Sequence, residues 1–191
     1  PRAERVAVEA SAAWAARRRA DESRPWWSLK QSGALVLDDS ASDAERVWAA
    51  TMTALTAAAG ATDPERQRRL ATVVVGGGGA TGVELAGELA EMLPEEASLH
   101  GLAPDRPAVW LVEAGPTVLA GSSPQLINKA SRILSDLGVH VRTNAAIAAA
   151  TEEGFRLKDG QLVEGGVFVW AGGVKAPEMV VDSTLPTGHN G

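Results

Sequence analysis

Thr72-Val-Val-Val-Gly-Gly-Gly-Gly-Ala-Thr-Gly-Val-Glu-Leu-Ala-Gly-Glu-Leu-Ala90 is the stretch whose reading decides how this chain folds. Thr72 to Val75 are mostly β-branched and uncharged, which suits a strand buried on both faces of a parallel sheet. Glycines follow at once. Val83, Ala86, Leu89, Ala90 and Leu93 then recur at helical spacing, with Glu84, Glu88 and Glu91 between them. Strand, glycine turn and helix form the context in which a G-x-G-x-x-G motif carries meaning. Here the motif falls on Gly77, Gly79 and Gly82. Gly77 permits a tight turn, Gly79 lets a pyrophosphate approach the backbone, and Gly82 lets the helix pack close to the strand. A helix beginning near Ala80 turns its free N–H groups and dipole toward phosphate. The competing reading, a flexible glycine linker, does not explain the buried-type strand and apolar helix face on either side.

An acid at the end of the following strand completes this fingerprint. Ala108-Val-Trp-Leu-Val-Glu113 is predicted to be that strand, with Glu113 at its end. A carboxylate there accepts hydrogen bonds from the adenosine ribose hydroxyls and repels a 2′-phosphate, so NAD(H) is expected over NADP(H). Taken alone, Glu113 would be a solvated strand end; the glycine turn upstream favours the ribose role. The separation from Gly82 is long for such a unit, and Pro94 to Pro107 is expected to supply the excess as a polar surface insertion.

These residues resemble a known family. Gly77-Gly-Gly-Ala-Thr-Gly-Val-Glu-Leu-Ala-Gly-Glu-Leu89 is similar to the NADH-binding domain of type II NADH dehydrogenases. These belong to the two-dinucleotide flavoproteins of the pyridine nucleotide-disulfide oxidoreductase type. The likeness continues through Trp110-Leu-Val-Glu-Ala114, Leu137-Gly-Val-His-Val141 and Val169-Trp-Ala-Gly-Gly-Val-Lys-Ala176. It covers about Leu70 to Gly191. Two positions depart from the pattern. Gly76 stands where relatives usually carry valine, and Gly172 makes Trp-Ala-Gly-Gly of the usual Trp-Ala-Ala-Gly.

The resemblance implies an FAD-dependent NADH dehydrogenase that passes hydride from NADH to flavin and electrons on to a quinone-type acceptor. It implies a cofactor site made of Gly77, Gly78, Gly79, Ala80, Thr81, Gly82, Glu113, Ala114, Gly172 and Gly173. It places Glu84 near the nicotinamide and flavin as the candidate catalytic residue; an acid favoured by the helix dipole in the first turn is the plainer account. There is one glycine fingerprint, so FAD is expected only in a full-length parent of which this chain is a fragment. The isolated chain is then expected to be inactive. Other reductases of the group, with ferredoxin, sulfide or disulfide acceptors, and a non-catalytic NAD(H)-binding module are the alternatives. The resemblance further implies a cytoplasmic protein, peripheral on the inner membrane in the parent, with membrane contact only through regions absent here.

The whole chain fits this outline. Its 191 residues are 45% hydrophobic and poor in aromatics, as in an α/β protein. A net charge of −6 gives no positive field to attract nucleic acid. No cysteine is present, and the three scattered histidines lack metal-ligand spacing, so no metal site is expected. No apolar run is long enough to span a bilayer, and no basic-then-apolar signal peptide opens the chain.

The expected organisation is a helical N-terminal segment or hinge over 1–70 and an NAD(H)-binding domain over 71–191. The first part holds an Ala- and Arg-rich helix from Arg2 to Ser23, the break Arg24-Pro-Trp-Trp27, and a helix opened by the capping box Ser42-Asp-Ala-Glu45 and closed by Gly60. Asp63-Pro64 caps a short basic turn. Beyond Glu113, Ser123-Pro124 starts a second crossover helix that Gly138 stops, and Val139 to Val141 forms a further parallel strand. Ile147 to Ala150, Phe155 to Leu157 and Leu162 to Val163 are predicted to form an antiparallel meander. Val167 to Trp170 returns to the main sheet. The expected fold class is α/β: a Rossmann-like parallel sheet with helices on both faces and a small meander, preceded by a helical segment.

Overall fold

The computed structural model describes residues 35–36 and 41–172. The Arg2–Ser23 helix, the Trp26-Trp27 break and Gly173 lie outside the described residues. In chain order the elements are β1 (Leu35–Val36), α1 (Ala41–Ala59), α2 (Pro64–Leu70), β2 (Thr72–Gly76), α3 (Ala80–Leu99) and β3 (Ala108–Val112). Then follow α4 (Pro124–Asp136), β4 (His140–Arg142), β5 (Ile147–Ala150), β6 (Gly154–Leu157), β7 (Leu162–Glu164) and β8 (Val167–Trp170).

The main sheet has the order β1-β8-β2-β3-β4, and every pairing is parallel. β2 is its middle strand, and all five of its residues are buried. Period-two alternation then sorts the side chains by face. Val73, Val75, Val109, Leu111, Val167 and Val169 share one cluster with Leu55, Leu89, Leu93 and Leu134 from the helices. Val74, Val112 and Phe168 point the other way, into a second cluster with Phe155, Leu157 and Val163 of the meander. The parallel sheet, its helices and the meander are thus all present. Among the described residues the helices share one face, and the face opposite, where helices were also expected, carries the meander β5-β6-β7. The reason is short-range: hairpin turns join three short strands that hold Phe155 and Leu157 inward, which covers Val74 and Phe168 without a crossover helix.

Local sequence explains the helix ends. Asp63 accepts from the N–H groups of Glu65 and Arg66 at 3.3 and 3.1 Å, with Pro64 at the first helical position of α2. Ser123 caps α4 through the Leu126 N–H at 3.3 Å, again with proline behind it. α1 opens at Ala41, one residue ahead of the predicted capping serine. It buries Val47, Thr51, Leu55 and Ala58 in the helix-side core, while Trp48 stays exposed. The two-residue strand β1, which sequence periodicity did not reveal, pairs with β8 at the sheet edge.

The expected insertion from Pro94 to Pro107 is corrected: α3 runs through Pro94 to Leu99. Proline removes one helical donor, but Leu93 and Ala97 on either side of it are fully buried. The Ser98 hydroxyl also donates to the Pro94 carbonyl at 2.9 Å. Burial of that face, worth about 0.8 kcal/mol per methylene, outweighs the local defect. Only residues 100–107 connect the helix to β3.

Candidate functional site

The strand order reverses at β2. From β2 the chain crosses through α3 to β3 on one side, whereas β8, the last strand, lies on the other. A crevice at such a reversal, outside the carboxyl ends of the strands, is where ligands bind in open α/β sheets. The glycine turn sits at that point, between the ends of β3 and β8.

Each glycine of the turn meets a different geometric demand. Gly77 has φ +113°, and a Cβ on it would lie 2.6 Å from the Ala171 carbonyl oxygen and 2.7 Å from the Gly172 Cα. Gly77 also donates its N–H to the Val112 carbonyl at 2.8 Å. A Cβ on Gly78 would meet the Glu113 side chain at 2.9 Å. Gly79 faces open space, with nothing within 4 Å of such an atom, and it is the N-cap of α3 with no side chain to cap it. A Cβ on Gly82 would collide with the Gly77 carbonyl oxygen, so the first turn of α3 packs directly on the strand end. The turn therefore presents bare backbone at Gly79 and the amino end of a twenty-residue helix to the crevice.

Glu113 follows β3 directly, and its half-buried carboxylate binds protein backbone on both oxygens. Oε2 accepts from the Gly78 N–H at 2.6 Å and Oε1 from the Gly115 N–H at 2.6 Å. Its own N–H donates to the Arg142 carbonyl at 2.8 Å, which anchors it to the end of β4. Sequence reasoning did not single out Gly115 or Leu119. The Leu119 N–H donates to the Gly78 carbonyl at 2.7 Å, and Leu119 holds φ +51°, a left-handed conformation that bulky residues seldom adopt. The loop after β3 thus grips both polar groups of Gly78. Gly115-Pro116 marks a turn in the sequence, but nothing local says what that turn touches.

The remaining candidates spread around this centre. Ala80 and Thr81 form the first turn of α3, Ala114 is exposed beside Glu113, and Gly172 lies against Gly77. Glu84 is exposed one turn into α3. The two departures from the family pattern share one neighbour. A Cβ on Gly76 would lie 3.2 Å from Cε3 of the Trp170 ring, and one on Gly172 would collide with Cζ2 and lie 2.6 Å from Cε2 of the same ring.

Residues 38–191 match the family model described as pyridine nucleotide-disulphide oxidoreductase. The chain belongs to this family. Among curated relatives, it is 35% identical over 126 residues to a type II NADH:quinone oxidoreductase of Staphylococcus haemolyticus, covering 64% of this chain and 31% of that protein. It is 36% identical over 115 residues to the protein of the same name from Staphylococcus aureus strain NCTC 8325, covering 59% and 29%. The chain therefore spans under a third of these relatives' length. In fold, it resembles NDH2 from Plasmodium falciparum in complex with NADH, with a TM-score of 0.68, 18% identity, and coverage of 77% of this chain and 31% of that one. The reduced CoADR-RHD of Bacillus anthracis is similar at a TM-score of 0.55 and 18% identity, covering 83% and 24%. No helix among the described residues is long and apolar enough to cross a membrane.

Proposed function

We propose that this chain is the NAD(H)-binding part of an FAD-dependent NADH dehydrogenase with a quinone-type acceptor. The observation that carries the reading is the junction of the glycine turn with Glu113 at the strand-order reversal. Membership of the family supports it, as does the similarity to type II NADH:quinone oxidoreductases. The cofactors supply the chemistry, hydride passing from nicotinamide to a flavin held by the parent and electrons onward to the acceptor.

The residues of this chain bind and orient. The open backbone at Gly79, with Gly78, Ala80, Thr81 and Gly82 around the amino end of α3, receives the pyrophosphate. Gly77 and Gly172, packed on one another, border the nicotinamide half, and Glu84 is exposed one turn into α3. Glu113 takes the adenosine ribose. A carboxylate offers about four acceptor positions, and two are used by Gly78 and Gly115. Two remain for the ribose hydroxyls, and Ala114 beside them is small enough to leave the approach open.

The test is calorimetric titration of the purified chain with NADH, with melting followed in parallel. One NADH per chain is expected, because the chain has one glycine fingerprint. Failure to bind, or a second equivalent site, would contradict the proposal.

A further inference from the structure

We propose that Trp170 is a positioning residue of the dinucleotide site, its indole wedged between two glycines so that the β8 carboxyl end lies flush on the first glycine of the turn. The inference rests on the dinucleotide-binding reading above and adds the residue that sets the height of the site's floor. Trp170 ends β8, in register with Gly76 of β2, and the Ala171 N–H donates to the Gly76 carbonyl at 2.8 Å. A Cβ on Gly76 would lie 3.2 Å from Cε3 of the indole. A Cβ on Gly172 would lie 2.6 Å from Cε2 and 3.0 Å from Cη2, and closer still to Cζ2. The ring thus fills the side-chain space of Gly172, and together with Ile147 and Phe155 it closes that of Gly76.

Strand geometry gives the direction. β8 ends at Trp170, and its ring reaches the side-chain position of Gly172 two residues further on, so the indole leans past the strand end toward the carboxyl edge. Phe155 backs the ring edge-on, with centroids 6.4 Å apart at 83°, which limits retreat into the meander. The wedge is transmitted to the turn through direct contact. A Cβ on Gly77 would meet the Ala171 carbonyl carbon and the Gly172 Cα, each at 2.7 Å. Any shift of the 171–172 segment therefore moves the wall on which Gly77, at φ +113°, is seated.

Size exchange tests this. All three atoms nearest a Cβ at Gly172 belong to Trp170, so Gly172→Ala bears first on this contact. The chain, Gly172→Ala, Trp170→Leu and the double variant are titrated with NADH and with ADP-ribose, well below their melting temperatures. Gly172→Ala is expected to weaken both ligands about tenfold, equivalent to about 1.4 kcal/mol. The double variant is expected to recover most of that loss, because leucine vacates the space the new methyl needs. Trp170→Leu alone is expected to weaken both ligands at least about threefold through loss of the wedge. That arm also decides the matter if Gly172→Ala fails to fold. Unchanged affinity in Gly172→Ala or Trp170→Leu, or no recovery in the double variant, would overturn the proposal while the binding function stands. A parent chain that binds neither ligand would overturn both.

Discussion

Replacing Glu113 by glutamine tests the site at its most connected atom. The carboxylate accepts one N–H on each oxygen, from Gly78 and Gly115, both at 2.6 Å. Hydrogen bonds to a charged acceptor are worth about 1.5–3 kcal/mol each, and partial exposure puts these at the lower end. Glutamine has one acceptor oxygen and a donor amide, so it keeps one of the two bonds and sets donor against donor at the other. The turn should loosen by about 1.5 kcal/mol, seen as a melting temperature lower by about 3–6 °C for a chain of this size. NADH affinity should fall about tenfold from the same loss. NADPH responds differently. Its 2′-phosphate faces the Glu113 charge in the unmodified chain, a repulsion on the order of 1–3 kcal/mol after screening, and glutamine removes it. The NADH:NADPH preference should therefore shrink by a factor of several to a hundred. Glu113→Asp separates the two roles, because it keeps the charge but is one methylene too short to bridge both N–H groups. Its melting point should fall while its preference for NADH persists. The assay is calorimetry with both nucleotides at one ionic strength. Equal binding of NADH and NADPH by the unmodified chain, or an unchanged preference in Glu113→Gln, would refute the reasoning.

Other substitutions probe the frame. Gly79→Ala places a methyl in open space at a negative φ, so stability should stay within about 0.5 kcal/mol while NADH affinity drops where pyrophosphate approaches; a retained affinity would displace the phosphate from this turn. Gly82→Ala drives a methyl into the Gly77 carbonyl and should destabilise by about 2 kcal/mol or more in thermal melts. Phe155→Ala empties the centre of the meander-side core, where the ring is fully buried, and should cost about 3–5 kcal/mol in denaturant unfolding.

The sequence alone determined the middle of the fold and the identity of its turn. An uncharged β-branched run, three spaced glycines and a 3.6-residue period are local signals, and each reports a local constraint: burial on both faces, a tight turn with a positive φ at Gly77, a helix face. The meander was legible for the same reason, since Glu153-Gly154 and Asp159-Gly160 punctuate strands with period two. Only the tertiary structure could decide what depends on distant contacts. Whether α3 survives Pro94 depends on what buries Leu93 and Ala97. Apolar character in α4 did not specify burial either: Ala130 and Leu134 are covered, whereas Leu126 and Ile133 are 48% and 47% exposed. The residue pattern alone did not choose between helix and meander as the second cover of the sheet, since buried strands look alike whatever lies on them; the family resemblance is what put the meander there. The partners of Glu113, the grip of Leu119 on Gly78 and the wedge of Trp170 between Gly76 and Gly172 join residues many positions apart. A strand or turn records its own backbone needs in its sequence; which neighbour fills the space beside it is written only in the packed chain.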